Sequence, residues 1–172
     1  MGQLIYVEAP NQIPLEYKEQ KIPIVFLAGG ITGCSEWQTE LVEILRKYLE
    51  KLPMARRLIV INPRRANFPI HDKNAASAQV KWEFEMLRKA NIISFWFDKD
   101  QIQPIVLFEL GAHSMRAMRG DKIRLCIGVH PQYPRLLDVQ YQMQNLFGID
   151  IFIKKSLYDL ANAISLEAWS FI

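Results

Sequence analysis

Residues 92–111 read Ile92-Ile93-Ser94-Phe95-Trp96-Phe97-Asp98-Lys99-Asp100-Gln101-Ile102-Gln103-Pro104-Ile105-Val106-Leu107-Phe108-Glu109-Leu110-Gly111. The first six are almost wholly apolar and predict a buried strand. Asp98 to Gln101 form a charged turn. Pro104 suits the first position of a helix, because it lacks the N–H that would be unpaired there and its φ is already fixed near the helical value. Glu109 then falls in the second helical turn, near the positive end of the dipole. It also lies close to the carboxyl end of a sheet, where open α/β folds bind ligands. A carboxylate among Val106, Phe108 and Leu110 has two readings. It turns to solvent or pairs with an arginine, as most charges do, or it is a reactive group in a mostly apolar pocket.

The same strand-then-helix unit recurs on both sides of this stretch. Pro23 to Ala28 is a continuous apolar run that reads as a central buried strand, and it enters Gly29-Gly30-Ile31-Thr32-Gly33-Cys34-Ser35. Three glycines permit positive φ and close backbone approach, and Ser35 is a candidate N-cap for a helix over 36–52. Strand, glycine loop and helix have the geometry of a phosphate loop. The loop is neither GxGxxG nor Walker A, so close strand–helix packing explains the glycines equally well. Leu58 to Ile61 predicts the second strand, ending in Asn62-Pro63-Arg64-Arg65. These arginines either clamp a phosphate or carboxylate or pair with surface acids. A polar loop over 66–76 has the length of a mobile flap. A helix from about Ser77 to Ala90 puts Gln79 and Glu83 one turn apart, facing the same way.

Beyond Glu109 the helix stops at Gly120. Further strands are expected at 123–129 and 150–153, with helices at 135–147 and, capped by Ser156, at 157–168. The N-terminal residues 1–22 read as an arm, with a short edge strand near 3–8 that Pro10 and Pro14 end. This alternation predicts an α/β fold: a single domain over residues 1–172, doubly wound, with a mainly parallel five-stranded sheet, right-handed crossovers and helices on both faces.

Composition narrows the function classes. Of 172 residues, 50% are hydrophobic and 23% charged, which is globular rather than disordered. The net charge is +3, and no run of Lys or Arg exceeds two residues. That argues against a groove for polymeric nucleic acid and suits a small anionic substrate. Cys34 and Cys126 make no CxxC pair, and His71, His113 and His130 lack ligand spacing, so neither a disulfide framework nor a metal site is expected. No apolar run approaches membrane-spanning length and the first residues lack a leader pattern. The expectation is a soluble cytoplasmic protein that does not engage a membrane.

Four pieces stand at strand ends: Gly29-Gly30-Ile31-Thr32-Gly33, Asn62-Pro63-Arg64-Arg65, Gln79-x-x-Trp82-Glu83 and Pro104-Ile105-Val106-Leu107-Phe108-Glu109-Leu110-Gly111. In this order and spacing they resemble the nucleoside 2-deoxyribosyltransferase-like family, over roughly Val7 to Val129 and including Trp37-Gln38. The resemblance implies a Rossmann/flavodoxin-like fold and an enzyme that cuts or exchanges the N-glycosidic bond of 2-deoxynucleosides or their 5′-monophosphates without a cofactor. In the family the nucleophile is a glutamate in a segment ending Glu-Leu-Gly, which falls on Glu109. A second acidic residue, which serves the leaving base, falls on Glu83. A carboxylate can attack the anomeric carbon and hold a glycosyl ester. A nearby anion also stabilises an oxocarbenium-like transition state.

The chain departs from the family pattern in places. Gly30 and Thr32 stand where the nucleotide-specific hydrolases have serine and arginine in a Gly-Ser-Ile-Arg-Gly loop. Gln103 stands where the transferases have aspartate, and Phe26 and Leu27 occupy the region of a first-strand tyrosine. The resulting expectation assigns catalysis to Glu109 and Glu83. Substrate contact goes to Gly29, Gly30, Ile31, Thr32, Gly33, Asn62, Arg64, Arg65, Gln79 and Gln103, with Trp37, Trp82 and Phe97 as candidates to stack on a base. The expected partner is a nucleoside or nucleotide. A homodimer or higher homo-oligomer is implied, with the apolar tail from Trp169 to Ile172 as a candidate interface. Two other readings remain: a nucleotide-binding module without catalysis, and a glycohydrolase acting on a dinucleotide such as NAD, gripped by Arg64 and Arg65.

Overall fold

The computed structural model describes residues 2–52, 56–69, 71–148 and 152–170. Five strands form one all-parallel sheet in the order β1-β3-β2-β4-β5: β1 Gln3–Glu8, β2 Ile24–Gly29, β3 Arg57–Asn62, β4 Ile92–Phe97 and β5 Arg124–Val129. This is the expected α/β architecture. The connecting helices are α1 Leu15–Lys18, α2 Trp37–Glu50, α3 Ala75–Lys89, α4 Pro104–Met118, α5 Leu136–Phe147 and α6 Leu157–Ser170.

Alternate residues of each strand face opposite ways, and the core divides accordingly. Phe26, Ala28, Ile59, Ile61, Ile93, Phe95 and Phe97 pack with Trp82, Met86, Val106, Leu110, Val139 and Met143 of α3, α4 and α5. Val25, Leu27, Leu58, Val60, Ile92 and Trp96 pack with Leu41, Leu45, Leu160 and Ile164 of α2 and α6. Burial of β4 on both faces explains why its sequence is a continuous apolar run rather than an alternating one.

The count of five strands agrees with expectation, but its membership does not. The N-terminal edge strand is a full member, paired along its length with β3. Of the strand expected at 150–153, only Phe152 and Ile153 fall among the described residues, and neither is in a strand. Asp150 and Ile151 lie outside the described residues, Phe152 is mostly exposed, and pairing shrinks to one parallel bridge between Lys154 and Gly128. A side-chain cap follows almost at once: the Ser156 hydroxyl accepts from the Asp159 N–H and donates to its carboxylate, at the start of α6.

The strand order fixes where a ligand can sit. From β2 the chain steps to β3 on one side, and β4 lies on the other. The carboxyl ends of β2 and β4 therefore flank a switch point, where the connecting loops diverge and leave a crevice. The glycine loop leaves β2 there, and the Asp98–Gln103 turn leaves β4. No helix among the described residues is long and apolar enough to cross a membrane.

Candidate active site

A cleft of about 290 Å³ opens at the switch point. Its walls include Phe26 and Ala28 of β2, Gly29 to Thr32 of the glycine loop, and Pro63 after β3. Glu83 comes from α3, Gln101 and Gln103 from the turn, and Pro104, Ile105, Val106 and Glu109 from α4. Sequence reasoning brought the two carboxylates and the loop together in advance. It missed Phe26, Pro63, Gln101, Ile105 and Val106 as walls. The signal for Ile105 and Val106 was available: a helix that presents Glu109 to a cleft presents positions three and four residues earlier on the same face.

Pro104 occupies the start of α4 as its fixed φ requires. Val106 and Leu110 bury one stripe of the helix against the sheet, and Glu109 sits at the edge of that stripe. Burial raises the Glu109 carboxyl to about 7, and the negative charge of Glu83 adds to the rise. These effects outweigh the helix dipole, which acts the other way on an acid in the second turn. Glu83 is also raised by burial, opposed by a hydrogen bond from Gln79. The Gln79 amide donates to the Glu83 carboxylate at 2.9 Å and to the Pro63 carbonyl at 2.8 Å. Gln79 thus ties Glu83 to the end of β3, across the one-turn spacing anticipated from sequence.

The glycine loop is held from behind. Gly30 donates its N–H to the Gln103 side chain at 2.8 Å, and its carbonyl accepts from Trp37 Nε1 at 2.8 Å and Gln38 Nε2 at 3.3 Å. A Cβ at Gly29 would lie 2.6 Å from the Trp96 carbonyl oxygen, so the backbone approach there requires glycine. Ser35, expected to cap α2, instead gives both its N–H and its hydroxyl to Asp98, and the N-cap position falls on Glu36. Those bonds and one from the Lys99 N–H hold the Asp98 carboxyl below its usual range despite the opposing cost of burial. Asp98 was not foreseen as part of this network.

Several residues expected to touch substrate are engaged elsewhere. Arg64 donates to the Ser35 and Cys34 carbonyls and to Gln38 Oε1, and it pairs with Glu36 at 2.7 Å. Its guanidinium braces the loop and does not line the cleft. Arg65 lies over the Phe68 ring, 5.4 Å from its centroid. Asn62 bonds the Arg64 N–H and the Tyr6 hydroxyl. The three aromatics considered for base stacking lie in the core instead. Trp37 is on the α2 side, while Trp82 packs on Phe26 and Phe97 on Tyr133. Gly33 adopts positive φ against Gln101, at the rim.

A profile of the family described as nucleoside 2-deoxyribosyltransferase like matches residues 22–128, more than half of the chain and the whole span from β2 into β5. A search of curated proteins finds no match.

Proposed function

The chain belongs to the nucleoside 2-deoxyribosyltransferase-like family, and we propose that it cleaves or transfers the N-glycosidic bond of an unphosphorylated nucleoside. The observation that carries this reading is the pair of carboxylates on one cleft, one of them held to about 7 by burial and by its neighbour's charge. In this reading Glu109 is the nucleophile. Its carboxylate oxygen bonds to C1′ as the C1′–N bond breaks, and the electron pair of that bond leaves with the base. In the reacting form Glu109 is ionised and Glu83 carries the proton that the departing base takes. Water or a second base then attacks C1′ of the ester and frees Glu109.

The preference for an unphosphorylated substrate rests on the lining. The residues around the cleft are apolar, neutral or acidic, and Arg64 is committed to the loop's carbonyls. A 5′-phosphate within this cleft would meet two carboxylates, and no cation stands among the described residues that line it. The test is chromatographic detection of free base from deoxynucleosides, ribonucleosides, their 5′-monophosphates and NAD, with and without an acceptor base, beside Glu109→Ala. Base release from nucleosides that the variant loses supports the proposal. Faster turnover of monophosphates overturns the preference, and turnover of NAD alone favours the dinucleotide reading.

We further propose a homo-oligomer that uses the outer face of α3 and α4. Val80, Phe84, Ile105 and Phe108 are all more than half exposed and line a groove of about 730 Å³ that also reaches Glu83 and Glu109. This apolar face adjoins the cleft and suits burial against a second copy. Of the tail considered earlier, Trp169 carries the Arg56 guanidinium at 5.4 Å, while Phe171 and Ile172 lie outside the described residues. Sedimentation of the protein and of Phe108→Glu tests the assignment: a monomeric parent contradicts it, and so does a variant that keeps the parent's mass.

A further inference from the structure

Gln103 is the single non-glycine residue with positive φ among the described residues, at φ 57° and ψ 59°. For a residue without glycine's freedom this conformation is costly, and the following Pro104 further restricts it. Such a conformation persists where surrounding contacts enforce it. Here the enforcing contacts come from the residue's own side chain, which is 7% exposed. Its Oε1 accepts the Gly30 N–H at 2.8 Å, and its Nε2 donates to the Asp98 carbonyl at 2.9 Å and the Gln101 carbonyl at 3.2 Å. A Cβ at Gly30 would come within 2.7 Å of the Gln103 amide carbon, so the contact also depends on glycine at position 30.

We propose that Gln103 is a positioning residue, a clasp that joins the glycine loop to the start of α4 and so sets Glu109 against the opposite wall of the cleft. Three facts converge on this. Gln103 is the N-cap residue of the helix that carries Glu109. Both ends of its amide are bonded to backbone of the two loops that bound the switch point, Nε2 to two carbonyls and Oε1 to the Gly30 N–H. Only a side chain with an acceptor and a donor on one rigid plane can bridge an N–H on one loop and carbonyls on the other. A carboxylate at this position could take the Gly30 N–H but would face the Asp98 and Gln101 carbonyls without a proton to give. The amide therefore serves the backbone here.

The primary test is hydrogen exchange and does not depend on the proposed activity. Asparagine tolerates positive φ, but its side chain is one methylene too short to span both loops. In Gln103→Asn, native-state exchange of the Gly30 amide, read by NMR, should accelerate about tenfold, as expected for the loss of roughly one net hydrogen bond. Gln103→Gly, which relieves the backbone conformation outright, should show the same acceleration with a melting temperature near the parent's. Unchanged Gly30 exchange in both variants overturns the clasp.

A second, kinetic readout rests on the proposed glycosyl chemistry. If the parent cleaves nucleosides, Gln103→Asn should lose kcat by about tenfold or more through misplacement of Glu109, with KM and the preference between 2′-deoxy and 2′-hydroxy sugars little changed. Altered sugar preference with slow Gly30 exchange would instead make Gln103 a substrate contact and overturn the proposal. An inactive parent refutes the proposed function and leaves the exchange result to decide the clasp.

Discussion

Glu109→Gln should stabilise this protein at high pH, and the size of the effect follows from the site. The Glu109 carboxyl rises from an ordinary 4.5 to about 7, first by burial and then by the charge of Glu83. A raised acid means that the folded chain binds more protons than the unfolded chain between those two values, so stability falls as pH rises through that window. At pH 8 the folded protein holds an ionised Glu109 at a cost of ~3 kcal/mol, taking 1.36 kcal/mol per pH unit. Glutamine keeps the shape and removes the charge but still desolvates an amide, so a net gain of ~2 kcal/mol is expected. For a chain of this length that corresponds to a rise of about 4–8 °C in melting temperature. At pH 4, where parent Glu109 is mostly protonated in both states, the gain should vanish and leave the ~1 kcal/mol cost of the buried amide. Urea denaturation of parent and variant at pH 4, 6 and 8 measures it. Equal stabilities at pH 8, or a gain that grows toward acid, would refute the claim that this carboxylate is buried at a cost.

Other consequences follow from the same geometry. In Glu83→Gln the limb of the pH–rate profile that reports ionisation of Glu109 should move down by about one pH unit or less, because burial contributes more of the rise than Glu83 does; an upward move would contradict the assigned sign. Gln79→Leu removes the donor that opposes the rise at Glu83, so the limb belonging to Glu83 should move up, and an unchanged profile would sever that link. Gly30→Ala should push the Gln103 amide out of place and reproduce the fast exchange of Gln103→Asn, while a parent-like exchange rate would show that the loop can give. Arg64→Lys keeps the charge but loses the forked contacts to Ser35, Cys34 and Gln38; affinity for nucleosides should fall several-fold with no special loss for phosphorylated ligands, whereas a selective loss for monophosphates would restore Arg64 as a phosphate clamp.

What the sequence disclosed and what it withheld divide along physical lines. The apolar runs at Ile24–Ala28, Leu58–Ile61 and Ile92–Phe97 sit between helical periods, and that alternation permits few arrangements other than a parallel layered sheet. Pro104 at the helix start and Glu109 one turn later were legible for the same reason: local stereochemistry and helical spacing act over a few residues. The segment near 150–153 misled because a short apolar stretch carries no information on whether a capped helix will begin before it can pair. Side-chain direction at loops was also hidden. Arg64 and Gln103 carry the chemistry of ligand contacts, yet both turn to the backbone of a loop some thirty or seventy residues earlier, Arg64 to its carbonyls and Gln103 to the Gly30 N–H. Trp37, Trp82 and Phe97 look like stacking platforms in a list of strand-end aromatics. They are buried because the two sheet faces need large side chains to fill them. Asp98 gave the opposite lesson: an ordinary turn residue became the acceptor for both the N–H and the hydroxyl of Ser35, just ahead of α2.

The most direct measurement of the central claim is a search for the covalent intermediate. The protein is mixed with a nucleoside that it cleaves, quenched in acid within milliseconds, digested and mapped by mass spectrometry. The account predicts an added pentosyl group on the peptide that contains Glu109, absent from Glu109→Gln, which should also fail to release base. Base release that persists in Glu109→Gln, or an adduct on another residue, would contradict the assignment of Glu109 as nucleophile.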